Sequence, residues 1–167
     1  MNLFLLRHGI AEERDTPGFQ NDFARPLTAK GKRQLRQTCA AMRKMKIDFD
    51  LILASPLVRA KQTAKIAAKE LERQRRLEFS DALKPGGDAK KLVQKIYAHK
   101  PAAASVLLVG HEPDLSRLVS LLVSGKLDLS LDFKKGGLAK LEAAKLRAGK
   151  CATLAWLLTP KQMKLMT

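Results

Sequence analysis

The chain has 167 residues, 46% apolar and 29% charged, the balance of one soluble globular domain over residues 1–167. No window approaches the ~18 consecutive apolar residues of a membrane-spanning helix, and the apolar run Leu3–Leu6, with no basic segment before it, is too short for a secretory signal. The formal charge of +16 favours anionic ligands, but the lysines and arginines are spread from residue 7 to residue 164, with one Tyr and one Trp beside them, so base-stacking platforms are scarce and nucleic acid is not the expected partner.

The elements follow in chain order from hydrophobic periodicity. Leu3–Leu6 is a strand-length apolar run, and a helix is predicted from Thr28 to Lys46, with Thr28 as its cap and Leu35, Cys39, Met42 and Met45 at helical spacing. Leu51–Ala54 is the second strand. The helix after it is predicted from about Leu57 to Arg75, with Ala60, Ala64, Ala67 and Leu71 inward and Pro56 at its first turn. A third helix spans about Asp88 to His99. Val106–Val109 is the next strand, and a fourth helix starts near Pro113 and carries Leu115, Leu118, Val119 and Leu122. Gly137–Ala144 and Lys150–Leu158 then form a hairpin around Arg147–Gly149. Strands alternating with helices predict an α/β fold, with helices on both faces of a mainly parallel sheet and an antiparallel pair at the C-terminal end. Cys39 and Cys151 lie far apart, with no CxxC and no paired-His spacing, and read as buried reduced thiols of a cytoplasmic protein.

Each of the first three apolar runs ends in polar chemistry. LFLL leads into Arg7-His8-Gly9, LILA into Ser55-Pro56 with Arg59 one turn on, and VLLV into Gly110-His111-Glu112. Ligands of open α/β sheets bind at the carboxyl ends of the strands, so Arg7, His8, Arg59 and His111 are expected on one rim. Arginine offers a planar fork of donors to phosphate oxygens. A neutral histidine can attack phosphorus, and a second histidine, kept protonated by a bound dianion, can donate to another oxygen. Positioning and charge neutralisation are most of what phosphoryl transfer requires. No GxxxxGK[ST] loop or Mg²⁺ cage is visible, so no metal and no cofactor is expected.

The stretches LFLLRHGIAE (3–12), RPLTAKG (25–31), LILASPLVRAKQTA (51–64), LKPGGD (83–88), SVLLVGHEPDL (105–115) and WLLTP (156–160) resemble the histidine phosphatase, or phosphoglycerate-mutase-like, superfamily. They resemble in particular its SixA-type phosphohistidine phosphatase branch. The resemblance implies a three-layer α/β/α sandwich. It also implies that His8 is the nucleophile that becomes phosphorylated, that Arg7 and Arg59 grip the phosphate, and that His111 is the second pocket histidine. Gly9 fits a close backbone approach beside the nucleophile.

Mutases and sugar phosphatases of that superfamily place a Glu acid after the SPxxR helix. Here the segment reads FSDALKPGGD, which leaves Asp81 as the candidate acid, with a turn or cap role as its alternative; Asp88, Glu12 and Glu13 are the other nearby carboxylates. A weak acid suits a phosphohistidine, whose imidazole leaves more readily than an alkoxide. The only candidate lid is Gly125–Gly137, which also reads as an exposed loop. Ser55 reads as a helix cap, with orienting the pocket as its alternative, Arg25 as a loop tie, and His99 as a helix-end charge.

The expected activity is thus a metal-independent phosphatase acting on phosphohistidine of a signalling protein. The alternatives are a phosphomonoesterase for a sugar phosphate or nucleotide, or a non-catalytic polyanion-binding module.

Overall fold

The computed structural model describes residues 1–14, 17–18, 21–99 and 101–167. Among them, β1 (Asn2–Arg7), α1 (Ala29–Lys44), β2 (Leu51–Ala54), α2 (Val58–Glu70), β3 (Leu77–Phe79), α3 (Ala89–Ala98), β4 (Ser105–Gly110), α4 (Asp114–Ser124), β5 (Leu138–Ala143), β6 (Ala152–Leu158) and α5 (Pro160–Lys164) follow in chain order. The strands make one sheet in the order β3-β2-β4-β1-β5-β6. β1 to β4 pair in parallel, and β5 runs antiparallel to both β1 and β6.

Side-chain alternation builds the three layers. Leu3 and Leu5 of β1 face a core shared with Leu92 and Ile96 of α3 and Leu115, Val119 and Leu122 of α4. Phe4 and Leu6 face the other way, onto Cys39 and Met42 of α1, Ala60, Ala64 and Ala67 of α2, and Met163 of α5. The alanines of α2 leave little side chain on its inner face, so that helix can lie close to the sheet.

The chain leaves β1 through α1 toward β2 on one side, and leaves β4 through α4 toward β5 on the other. β1 and β4 are neighbours, so the crevice outside their carboxyl ends lies at a switch point of the topology, where open α/β sheets bind ligands.

The predicted elements match with four differences. α2 stops at Glu70, because Leu71 caps it and Glu72 turns into the left-handed region at φ 56°. β3 was not foreseen, since three half-exposed residues carry no alternation. α5 was not foreseen either. It is five residues long and is held by a capping box between Thr159 and Gln162, with Pro160 in its first turn. Finally, the segment proposed as a lid is exposed over residues 125–130, as its alternative loop reading expects, and only its end is tied into the core. Phe133 is buried, and the Gly136 N–H donates to the carbonyls of both Arg7 and His8 at 3.1 Å. Cys39 is buried, which pushes its thiol up to about 12, whereas Cys151 is only half-buried.

Candidate active site

The β1, β2 and β4 ends bring together residues that lie more than a hundred positions apart in the chain. Arg7 closes β1 and His8 follows it, Ser55 follows β2, Arg59 lies in the first turn of α2, and His111 follows β4. His8, Arg59 and His111 are 6%, 4% and 2% exposed, and the two imidazole centroids are 5.1 Å apart.

His8 is oriented by its own loop. Its Nδ1 lies 2.8 Å from the Gly9 carbonyl. A carbonyl only accepts, so Nδ1 carries the proton and Nε2 presents a lone pair. The Gly9 N–H donates to Thr63 Oγ1 at 3.1 Å, and the Thr63 hydroxyl donates to the Arg59 carbonyl at 2.7 Å, tying the His8 loop to the helix that carries Arg59. A Cβ on Gly9 would come within 2.8 Å of the Leu35 side chain, so what crowds this glycine is the side chain of α1.

Arg59 Nε donates to His8 Nε2 at 3.2 Å. Its other two nitrogens are held by Asp22: Nη1 on the backbone carbonyl at 2.6 Å and Nη2 on Oδ2 at 2.9 Å. The second carboxylate oxygen of Asp22 takes Arg25 Nη2 at 2.6 Å and Arg14 Nε at 3.1 Å, while Arg25 Nη1 donates to the Glu12 carbonyl at 2.7 Å. Arg7 Nη1 donates to the Phe133 carbonyl at 2.6 Å. His111 Nε2 lies 2.8 Å from Ser55 Oγ.

The electrostatics follow from burial. It lowers His8 to about 3, helped by the nearby His111 and the two arginines and opposed by the Gly9 carbonyl. Burial and Arg59 lower His111 to about 4. Both rings are therefore neutral at pH 7 in the free protein; the protonated second histidine expected from sequence belongs to the dianion-bound site. Burial also lowers the pKa of both Arg7 and Arg59. For Asp22 burial opposes the charge, but hydrogen bonds from Arg25 and the Arg59 guanidinium outweigh it and hold the carboxyl at about 2. Beside His111, a groove of about 300 Å³ runs between the 81–83 turn and α4, walled mainly by Leu83, Leu92, Leu115, Leu118 and Leu121.

A buried neutral imidazole with an unprotonated Nε2, ringed by two guanidiniums and a second imidazole, is an arrangement that can take up a phosphoryl group. Comparison with known proteins agrees. Residues 3–85 match the model of the histidine phosphatase superfamily (branch 1). Phosphohistidine phosphatase SixA of Escherichia coli K12 is 30% identical over 127 residues, which are 75% of this chain and 76% of that protein. This chain belongs to the histidine phosphatase superfamily.

A solved structure of the protein histidine phosphatase SixA with tungstate superposes with a TM-score of 0.81 at 27% identity, covering 96% of this chain and 98% of that one. These likenesses place the chain in the SixA-type branch of the superfamily. A protein of Picosynechococcus sp. PCC 7002 is 34% identical over 165 residues, 96% of this chain and 98% of its own.

The other carboxylates considered for this histidine phosphatase fall elsewhere. Asp81 does not join the cluster: its side chain is 78% exposed and pairs with Lys84 Nζ at 2.9 Å, because the segment turns through a 3-10 helix capped by Ser80. Asp88 caps α3, accepting from Lys90 N and Lys91 N. Glu12 contributes its backbone carbonyl to Arg25. His99 pairs with Glu78 at 3.2 Å, a partner that helix-end charge alone did not suggest.

Ser55 is not the cap of α2. That position is Leu57, without a side-chain cap; the serine oxygen accepts from the Leu57 N–H at 3.4 Å and contacts His111, in line with its alternative reading as a pocket residue. Sequence reasoning missed Asp22 altogether. Its one signal was a D-x-x-R spacing with Arg25, which it shares with any salt-bridged loop.

Proposed function

We propose that this histidine phosphatase removes the phosphoryl group from phosphohistidine on a signalling protein. The observation that carries the reading is the fixed His8 ring, with Nδ1 spent on Gly9 and Nε2 facing Arg59. In the reaction, the Nε2 lone pair attacks phosphorus in line while the substrate's N–P bond breaks, and the leaving imidazole takes a proton from solvent. Arg7, Arg59 and His111 hold the equatorial oxygens through the loose transition state. When phosphate arrives, the Arg59 Nε–H turns from His8 Nε2 to a phosphate oxygen and frees the nucleophile. Water then attacks the phosphohistidine intermediate, releases inorganic phosphate and restores His8.

The leaving group follows from the site's proton supply. The carboxylate hydrogen-bonded to Arg59 is Asp22, and at about 2 it holds no proton to give at neutral pH. A sugar alkoxide needs such a proton, and a positioned acid is worth roughly 10²–10⁴-fold. A phosphohistidine imidazole leaves with far less help. The name of the E. coli relative supports the same substrate class.

The test is turnover of a phosphohistidine peptide beside p-nitrophenyl phosphate, in EDTA, by wild type and His8→Ala. Release from the peptide in EDTA, at least ~10³-fold slower in the variant, is expected. Faster release from the ester, or release that EDTA stops, would overturn the reading.

A further inference from the structure

Two of the buried polar atoms without a protein partner among the described residues belong to this cluster: Arg7 Nε and His111 Nδ1. A buried polar atom left unpaired costs stability, so such atoms mark where a ligand is meant to sit. For Arg7 the atom is a fixed donor. For His111 its character depends on which ring nitrogen carries the proton, and Ser55 decides that.

Ser55 is fully buried, and its Oγ lies 2.8 Å from His111 Nε2. The same oxygen accepts from the Leu57 N–H at 3.4 Å. If the hydroxyl donates to Nε2, Nδ1 carries the N–H, and that is the one proton of the pair left for a ligand oxygen. If instead Nε2–H donated to the hydroxyl, the serine proton would have no other acceptor among the described residues. Nδ1 would then turn a bare lone pair toward the phosphate oxygens. A ring protonated on both nitrogens is disfavoured by its surroundings. Burial is the main reason, and Arg59, Arg7 and Arg25 act in the same direction against the carboxylate of Asp22, with the neutral His8 ring alongside.

We propose that Ser55 is a positioning residue that sets the His111 tautomer, so that His111 offers an uncharged Nδ1–H donor to the transferring phosphoryl group. The inference rests on the phosphatase reading for the identity of that group. It replaces the expectation that a bound dianion must keep His111 protonated. An uncharged donor in a preformed position does not have to be charged and desolvated on each turnover, which is the advantage of a preorganised site.

Long-range ¹H–¹⁵N correlation of the histidine rings at pH 7 tests this directly. In wild type, the His111 signals are those of an Nδ1–H ring with Nε2 unprotonated, and inorganic phosphate shifts the Nδ1–H proton. In Ser55→Ala, a change that removes one buried oxygen, the Nε2–H form appears. Turnover of the phosphohistidine peptide falls about ten- to a hundredfold, since one preorganised donor is worth of that order or more.

His111→Asn provides the second arm, because its amide stands near the Nδ1 position and has no tautomers. In that background, removing the Ser55 hydroxyl changes the residual rate by less than about twofold, whereas a merely structural serine would cost the same factor in both. A wild-type ring protonated on Nε2, or equal losses in the two backgrounds, overturns the proposal. An Nδ1–H ring that responds to phosphate in a protein with no turnover of phosphohistidine would uphold the tautomer and overturn the substrate instead.

Discussion

Asp22 holds both η nitrogens of Arg59, whose Nε–H donates to His8 Nε2. Replacing the carboxylate with a neutral amide keeps the size and removes the charge. Asp22→Asn is expected to lower kcat/KM on a phosphohistidine peptide about tenfold or more, since small misplacements of a positioned group cost up to ~10². An unchanged kcat/KM would show that Arg59 keeps its place without the ion pair. The same pair makes stability pH-dependent. Asp22 titrates at about 2 in the fold against 3.8 ordinarily, so its contribution is complete above the ordinary value and is lost as the pH falls through about 2. Urea midpoints of wild type and Asp22→Asn should therefore differ at pH 7 and draw together near pH ~2.5.

The two histidines act in the same direction in a higher window. At about 3 and about 4 in the fold against 6.5 ordinarily, they bind fewer protons than the unfolded chain between these limits. Stability therefore falls as the pH drops from 6.5 toward 4, and His111→Asn should make that fall shallower; equal slopes would mean that the ring is not held neutral. These residue-level facts were unevenly legible. Arg7, His8, Arg59 and His111 stand at the ends of recognisable strands or in a recognisable helix turn, so their convergence followed from fold class. Asp22, Ser55 and Thr63 act through partners 37, 56 and 54 positions away; Ser55 and Thr63 lie in the recognisable stretch around Arg59, whereas nothing local announces Asp22.

At the scale of elements, α1 shows how closely a helix is fitted to the His8 loop. Thr28 caps it by accepting from the Gly31 N–H at 2.9 Å, and the Thr28 N–H donates to the Ile10 carbonyl at 3.0 Å. A Cβ at Gly31 would lie 2.2 Å from that same carbonyl oxygen, which is backbone and cannot rotate aside. Gly31→Ala is therefore expected to destabilise the protein by about 1–3 kcal/mol, the usual cost of overpacking, and to lower turnover by pushing the loop that carries His8. A wild-type denaturation midpoint would refute the fit.

The long, strongly patterned helices were readable because burial imposes a period on them. β3 and α5 were not, because each is too short to show one. Their existence rests on pairing with β2 in one case and on burial of Met163 against the sheet in the other. The segment before β5 was legible as an exposed loop over residues 125–130 but not at its end. Its lysines and glycines look like a surface loop, yet the Phe133 carbonyl and the Gly136 N–H act through the backbone, where side-chain identity says nothing.

For the whole molecule, the charge of +16 surrounds a site built for anions. Steering predicts that kcat/KM on an acidic phosphohistidine protein falls about tenfold between low salt and ~0.3 M, while the small substrate phosphoramidate changes much less. Equal salt dependence for both would remove the surface charge from substrate selection. The sequence by itself determined the class of fold and the chemistry available at the strand ends. Periodic burial writes itself into residue order, and a nucleophile with its arginines needs particular side chains. Only the tertiary structure decided which carboxylate reaches Arg59, that Asp81 faces solvent, and which ring nitrogen each histidine presents. Those outcomes depend on hydrogen bonds and burial between distant segments, and a proton's position is set by the partner across the gap rather than by the neighbours along the chain.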